Sequence, residues 1–149
     1  MELSIKFLEN NDIEDFQKLL KIFETVFEWK NYKLPTDVYL TNILKNENFK
    51  VIVAINKNEI IGGLTGYILH AYDIPKPSFY IYDLGVSTRF QNKGTGKKLI
   101  EFLKKYTTEN NFQEIYVTTE QEDNEQAINF YRSTPISGEL KVLQFNYLI

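Results

Sequence analysis

The chain has no cysteine, which excludes disulfides, thiolate nucleophiles and thiolate metal sites. It has a single histidine, His70. That rules out a His-based zinc site and a Ser-His-Asp triad of the usual kind, so no metal is expected. His70 itself reads as a strand-end surface residue. Positive charge is not in surplus: Lys and Arg number 17 against 20 Asp and Glu, a net charge of −3. Nucleic acid is therefore not expected as the main partner. There is no apolar run of membrane length and no secretory signal, so a cytoplasmic protein with no membrane partner is expected. Repeats, low-complexity stretches and linkers are lacking too. One domain spanning 1–149, long enough to bury a full core, is the expectation. Aromatic residues, by contrast, are plentiful at 15%, with 10 tyrosines, enough to line a cleft as well as fill a core.

Along the chain, Leu3 to Leu8 alternates as a short strand. Asn11 or Asp12 suits a helix N-cap, and Ile13, Phe16, Leu19, Leu20, Phe23 and Phe27 mark one face of that helix. Glu24 and Glu28 fall one turn apart near its end, where acids oppose the dipole. They read as a solvated face or, more sharply, as the rim of a site for a cation. Thr36 can cap a second helix carrying Val38, Leu40, Ile43 and Leu44. Phe49–Ile55 and Glu59–Leu69 are strands joined by the turn signal Asn56-Lys57-Asn58. Gly62, Gly63 and Gly66 in the second of them point to a bulge or a close backbone approach. Phe79–Val86, Gln113–Thr118 and Leu140–Tyr147 complete the strands, and a short helix capped by Asp123 or Asn124 ends near Arg132. The order β-α-α-β-β-β-α-β-α-β predicts an α/β (α+β) chain with a mixed central sheet flanked by helices.

The stretch Phe79–Tyr106 is the centre of this plan. A buried strand runs into the polar loop Ser87–Lys93 and then, from about Thr95, into a helix with Leu99, Phe102, Leu103 and Tyr106 on its apolar face. Such a loop aims several N–H groups and the positive end of a helix dipole at one point, and glycines there admit a phosphate or pyrophosphate. A Walker A loop would need Gly at Gln91 and Ser or Thr at Lys98. A dinucleotide fingerprint would need Gly at Leu99. Neither requirement is met.

Gln91-Asn92-Lys93-Gly94-Thr95-Gly96 resembles instead the Q/R-x-x-G-x-G/A signature of the GNAT superfamily of N-acetyltransferases. Asn124-x-x-Ala127-x-x-Phe130-Tyr131 is similar to a second pattern of that family, about thirty residues later. The predicted element order also matches, with the family's final hairpin shortened or irregular. Ser78-Phe79-Tyr80-Ile81-Tyr82-Asp83-Leu84, with Val86-Ser87, resembles a strand of aminoglycoside 3-N-acetyltransferases. One departure stands out: a Gly-Phe pair usual after the tyrosine is replaced here by Ser133–Gly138, so the turn after that helix must differ.

The resemblance implies acetyl-CoA as the only cofactor, its pyrophosphate held by Gln91, Asn92, Lys93, Gly94, Thr95, Gly96 and Lys97. It implies backbone contacts to the thioester near Leu84, Gly85 and Val86, with Gly85 letting the strand open to receive the pantetheine. It also implies that Asn124 contacts the pantetheine and that Tyr131 stands near the sulfur as a proton donor. A primary amine is protonated at neutral pH and must lose a proton before it attacks. Asp83, a mid-strand carboxylate beside Tyr82, is the candidate base; a structural partner for a nearby basic residue is the competing reading. Without cysteine, direct transfer within a ternary complex is expected.

Charge is divided along the chain. Arg89, Lys93, Lys97, Lys98, Lys104 and Lys105 precede the acids Glu109, Glu114, Glu120, Glu122, Asp123 and Glu125. The first block suits phosphates and the second a polycationic acceptor, with Glu120, Glu122 and Asp123 in the loop where they would flank a cleft. The expected activity is acetyl transfer to an amine of a cationic acceptor, an aminoglycoside antibiotic at its 3-amino group, which would confer antibiotic resistance. A peptide, polyamine or metabolite amine is the alternative acceptor, and a non-catalytic acyl-CoA-binding module is the alternative class. Family members are often dimers, so a homodimer is compatible with the resemblance.

Overall fold

The computed structural model describes all 149 residues. Residues 1–118 and 119–149 form two compact units. The first unit holds β1 (Leu3–Phe7), α1 (Ile13–Val26), α2 (Asp37–Lys45), β2 (Phe49–Asn56), β3 (Glu59–Leu69), β4 (Ser78–Val86), α3 (Thr95–Glu109) and β5 (Glu114–Val117). The second holds α4 (Glu125–Arg132).

The sheet order is β1-β2-β3-β4-β5. The first four strands are antiparallel and β5 is parallel to β4, as a strand reached through the crossover helix α3 should be. The turn predicted at Asn56–Asn58 forms: Lys57 and Asn58 both have positive φ (47° and 67°), and Asn56 pairs with Glu59, a two-residue hairpin of the I′ kind.

Alternation along the strands divides the core into two layers. Val51 and Val53 pack with Phe16, Leu19, Phe23 and Leu40 on the α1/α2 side. Ile52, Ala54, Phe79, Ile81, Leu99 and Leu103 pack on the α3 side. Thr36 accepts from the Tyr39 N–H, as expected of a cap for α2. Asp12 precedes α1 without capping it by its side chain, because its carboxylate takes the Glu9 N–H at 2.8 Å. No helix is long and apolar enough to cross a membrane.

Two expectations are corrected. Glu28 is not on α1: the helix ends at Val26, and Glu28 takes φ +53°. The strand expected over Leu140–Tyr147 does not form, and residues 138–149 have no regular structure. Alternating apolar residues make a strand only where another backbone supplies the ladder, and this segment finds none.

Candidate functional site

The departure of β4 from β5 opens the first part of the site. Pairing between the two stops at Ile81–Val117, while β4 continues to Val86, leaving residues 82–86 without a neighbour on that side. Ser87 donates to the Ile61 carbonyl at 2.7 Å. Alternation then points Gly85 toward β3, and Leu84 and Val86 toward the open side. The Val86 carbonyl accepts from Gln91 Nε2 at 2.9 Å, so the Leu84 peptide and the Val86 N–H are what the opening offers. Gly85 is buried against α1: a Cβ there would lie 3.0 Å from Phe23 Cδ1 and 3.3 Å from Phe27 Cζ. Its missing side chain therefore serves helix packing.

A bulge shapes the opposite edge of this stretch. Asp83 pairs with Thr65 and Ile81 with Gly66, so Tyr82 is an extra residue in β4. The Tyr82 ring meets Tyr67 at 5.8 Å, and Tyr67 packs on Phe49 in the α1/α2 layer. Counting back from Gly85, Asp83 faces that same layer. The bulge thus turns two consecutive side chains, Tyr82 and Asp83, to one face. Tyr82 is exposed and Asp83 half-buried. Asp83 takes part in none of the ion pairs of the structure. Burial alone raises its carboxyl from the ordinary 3.8 to about 6, near the range useful for a base at neutral pH.

Sequence reasoning missed the rest of this wall. Tyr82 also meets Tyr80 at 6.2 Å, and Tyr80 stacks on Tyr116 at 5.0 Å. The Tyr80 hydroxyl bonds to Thr118 Oγ1 at 3.0 Å. Burial raises the Tyr67 phenol, as do nearby Tyr82 and Tyr39. The signal was available as Tyr-x-Tyr in β4 and a tyrosine in each flanking strand, but only strand register makes them neighbours.

The loop after β4 provides the second part. Asn92 and Gly94 take left-handed φ values of 59° and 84° between residues of ordinary handedness, the alternation that gathers N–H groups into an anion-binding hollow. The first helix-type bond of α3 runs from the Lys98 N–H to the Gly94 carbonyl at 3.1 Å. The N–H groups of Asn92, Lys93, Gly94, Thr95, Gly96 and Lys97 have no acceptor in the protein. Six free donors at a helix N-terminus fit a diphosphate. The buried Thr95 hydroxyl is also without a partner. Of the basic block, Arg89 is held by Glu59 at 2.6 Å and Lys105 by Glu109 at 4.0 Å. Lys93 lies 5.4 Å over the Phe90 ring, and Lys97 and Lys98 are exposed beside the hollow.

In the second unit, Asn124, a half-buried residue, precedes α4 without capping it by its side chain. Asp123 takes φ +58°. The Tyr131 ring lies edge-on to Phe130 at 5.1 Å. Glu120, Glu122 and Asp123 are all exposed and outside any ion pair. Of the other acids, Glu114 accepts from Ser78 at 3.2 Å. Burial raises the Tyr32 phenol, and the charge of nearby Glu24 adds to this. His70 is at the surface, its ring meeting Asn48 Oδ1 at 3.0 Å.

Residues 14–134 match the acetyltransferase (GNAT) family. Among solved structures, an aminoglycoside acetyltransferase (meta-AAC0020) from an uncultured soil metagenomic sample matches twice. Its complex with trehalose is 43% identical with a TM-score of 0.94, and its complex with sisomicin is 41% identical with a TM-score of 0.95. Each match covers 99% of this chain and 96% of that one. A second aminoglycoside acetyltransferase, HMB0005, also from an uncultured soil sample, is 27% identical with a TM-score of 0.91, covering 100% and 99% of the two chains. Among curated proteins, none matches the chain.

Proposed function

This chain belongs to the acetyltransferase (GNAT) family, and from that premise we propose that it acetylates an aminoglycoside at its 3-amino group, acting in the cytoplasm over residues 1–149 and protecting the cell from the antibiotic. The observation that carries the acceptor class is the 41–43% identity, over nearly the full length, to an aminoglycoside acetyltransferase known with sisomicin bound. The family uses acetyl-CoA, which would supply the acetyl group as a thioester.

The protein's own residues divide the work. The N–H groups of Asn92 to Lys97 take the diphosphate, braced by Gln91, while Lys93 and Lys97 offset its charge. The Leu84 and Val86 N–H groups polarise the carbonyl to be attacked. Asp83 accepts a proton from the acceptor ammonium, directly or through water, so that the amine can act as nucleophile. Tyr82 stacks on the sugar ring beside it. Glu120, Glu122 and Asp123 hold the acceptor's remaining ammonium groups, and Asn124 bonds to the pantetheine amide. The Tyr131 hydroxyl gives a proton to the leaving sulfur.

The test offers acetyl-CoA with gentamicin, spermidine or a lysine-containing peptide and follows free thiol, locating the acetyl group in the product by NMR. Gentamicin acetylated at the 3-amino group is expected. Turnover only with spermidine or the peptide overturns the acceptor class, and no turnover with any amine supports a non-catalytic binding module.

A further inference from the structure

Strand register sets three tyrosines of the first unit side by side. Tyr67 stands opposite Tyr80 and Tyr80 opposite Tyr116, so all three point to one side of the sheet. Tyr39 of α2 comes close enough to Tyr67 to help raise its phenol. Cross-strand pairing accounts for that row as sheet stabilisation, but not for Tyr82, which the bulge in β4 adds to the same face. The Tyr82 ring lies at 75° to Tyr67 and 80° to Tyr80, and Tyr82 is 59% exposed. Tyr80 and Tyr82 thus make a right-angled aromatic corner open to solvent. Its Tyr80 side is held in place by the hydroxyl bond to Thr118 Oγ1 at 3.0 Å and by the stacked Tyr116 ring.

The corner has the chemistry of a site for an aromatic ring that carries one ammonium group. Burial holds the Tyr67 and Tyr116 phenols above their ordinary value, so these rings stay uncharged at neutral pH. Glu114, whose charge reaches Tyr116, accepts from Ser78 Oγ at 3.2 Å. Asp83 follows Tyr82 in the chain, shares its face and is in no ion pair. A polycation calls for carboxylates spread over such a surface. This one offers phenol rings and, at the Tyr82 end, one carboxylate. A ligand ring laid against Tyr80 and Tyr82 gains the stacked and edge-to-face contacts that aromatic pairs prefer. A strand rises about 3.3 Å per residue, so an amine two carbons beyond that ring comes level with Asp83.

We propose that the tyrosine corner is a ring subsite, and that the protein also acetylates aralkylamines, in which an aromatic ring bears a short primary-amine arm. The inference rests on the acetyl transfer proposed above. The ammonium proton passes to Asp83, the freed amine forms an N–C bond to the acetyl carbonyl, and the C–S bond breaks. The products are the N-acetyl amide, the free thiol and one proton. The test compares 2-phenylethylamine with 2-cyclohexylethylamine, which has the same arm and a more apolar but non-aromatic ring, and runs gentamicin in parallel. Thiol release with 2-phenylethylamine is expected, at a KM about three- to tenfold below that of the cyclohexyl compound, the range for one aromatic pair. Ligand-observed NMR titration without acetyl-CoA should show the same preference. Tyr80→Leu should bring the ratio near one, and so should Tyr116→Leu at a more exposed position, while Tyr80→Phe keeps it. The subsite is overturned by equal KM values in the wild type, or by a preference that survives both leucine variants. Acetylation of gentamicin without any of 2-phenylethylamine overturns the added activity alone. Turnover of 2-phenylethylamine without gentamicin upholds it and removes the aminoglycoside reading, and no turnover with either sinks both.

Discussion

The side-chain amide of Gln91 donates to the carbonyl of Val86 at 2.9 Å, tying the loop before α3 to the strand it has just left. The loop that carries the donors of Asn92 to Lys97 is thereby tethered to the open end of β4. In the proposed reaction the diphosphate and the thioester are gripped by these two places, so that short bond sets the distance between them.

Replacing Gly96 with valine should weaken acetyl-CoA binding at least tenfold by calorimetry, because a branched side chain at the rim blocks approach to the N–H groups. Gly94→Val should do the same and also destabilise the fold by about 1–2 kcal/mol, since φ is +84° there and L side chains resist it. Lys93→Ala should cost far less, within about threefold, because an exposed charge is screened. Equal affinity for wild type and Gly96→Val would exclude the loop as the diphosphate site.

Thr95 separates stability from binding. Its hydroxyl is buried and unpartnered, a situation that costs about 1–3 kcal/mol. Thr95→Val keeps the shape and removes the cost, so the ligand-free protein should melt higher. If the hydroxyl serves the diphosphate, acetyl-CoA affinity should fall in the same variant. A lower melting temperature in Thr95→Val would show that the hydroxyl is satisfied after all.

Asp83 should show the same opposition between activity and stability. Its carboxyl titrates near 6 in the fold against 3.8 as the ordinary value, so as a base it must be ionised. Wild-type kcat/KM should fall as pH drops through about 6, and Asp83→Asn should lose most turnover together with that acid limb. The sign for stability runs the other way. Below pH 3.8 the group is neutral in both states and costs nothing. As pH rises through 4 to 6 the unfolded chain releases the proton first, and the fold loses stability. Asp83→Asn should therefore melt higher than wild type at pH 7 by a few degrees, about 2–4 °C per kcal/mol, with the gap closing at pH 4. Full turnover in Asp83→Asn would assign the proton transfer elsewhere.

Tyr131→Phe should bind acetyl-CoA normally yet turn over roughly 10- to 1,000-fold more slowly, the range for losing a general acid. Single-turnover kinetics beside calorimetry would separate the two effects. An unchanged rate would remove the phenol from the chemistry.

What the amino-acid order determined by itself was local: the helical spacing of Phe16, Leu19, Leu20 and Phe23, the turn at Lys57–Asn58, and the loop chemistry of Gln91 to Gly96. These depend on neighbours within a few residues, and the backbone preferences of those residues suffice. Tertiary structure decided whatever depends on register or on a distant partner. Asp83 faces the α1/α2 layer because the bulge at Tyr82 turns it there. Tyr67, Tyr80, Tyr82 and Tyr116 become one wall only when three strands align. Gly85, expected to open the strand, instead makes room for Phe23 and Phe27, a contact 58 or more residues away in sequence. The segment Leu140–Tyr147 has the alternation of a strand and is none in the single chain, because a strand is completed by hydrogen bonds to a second backbone, which no run of side chains can supply.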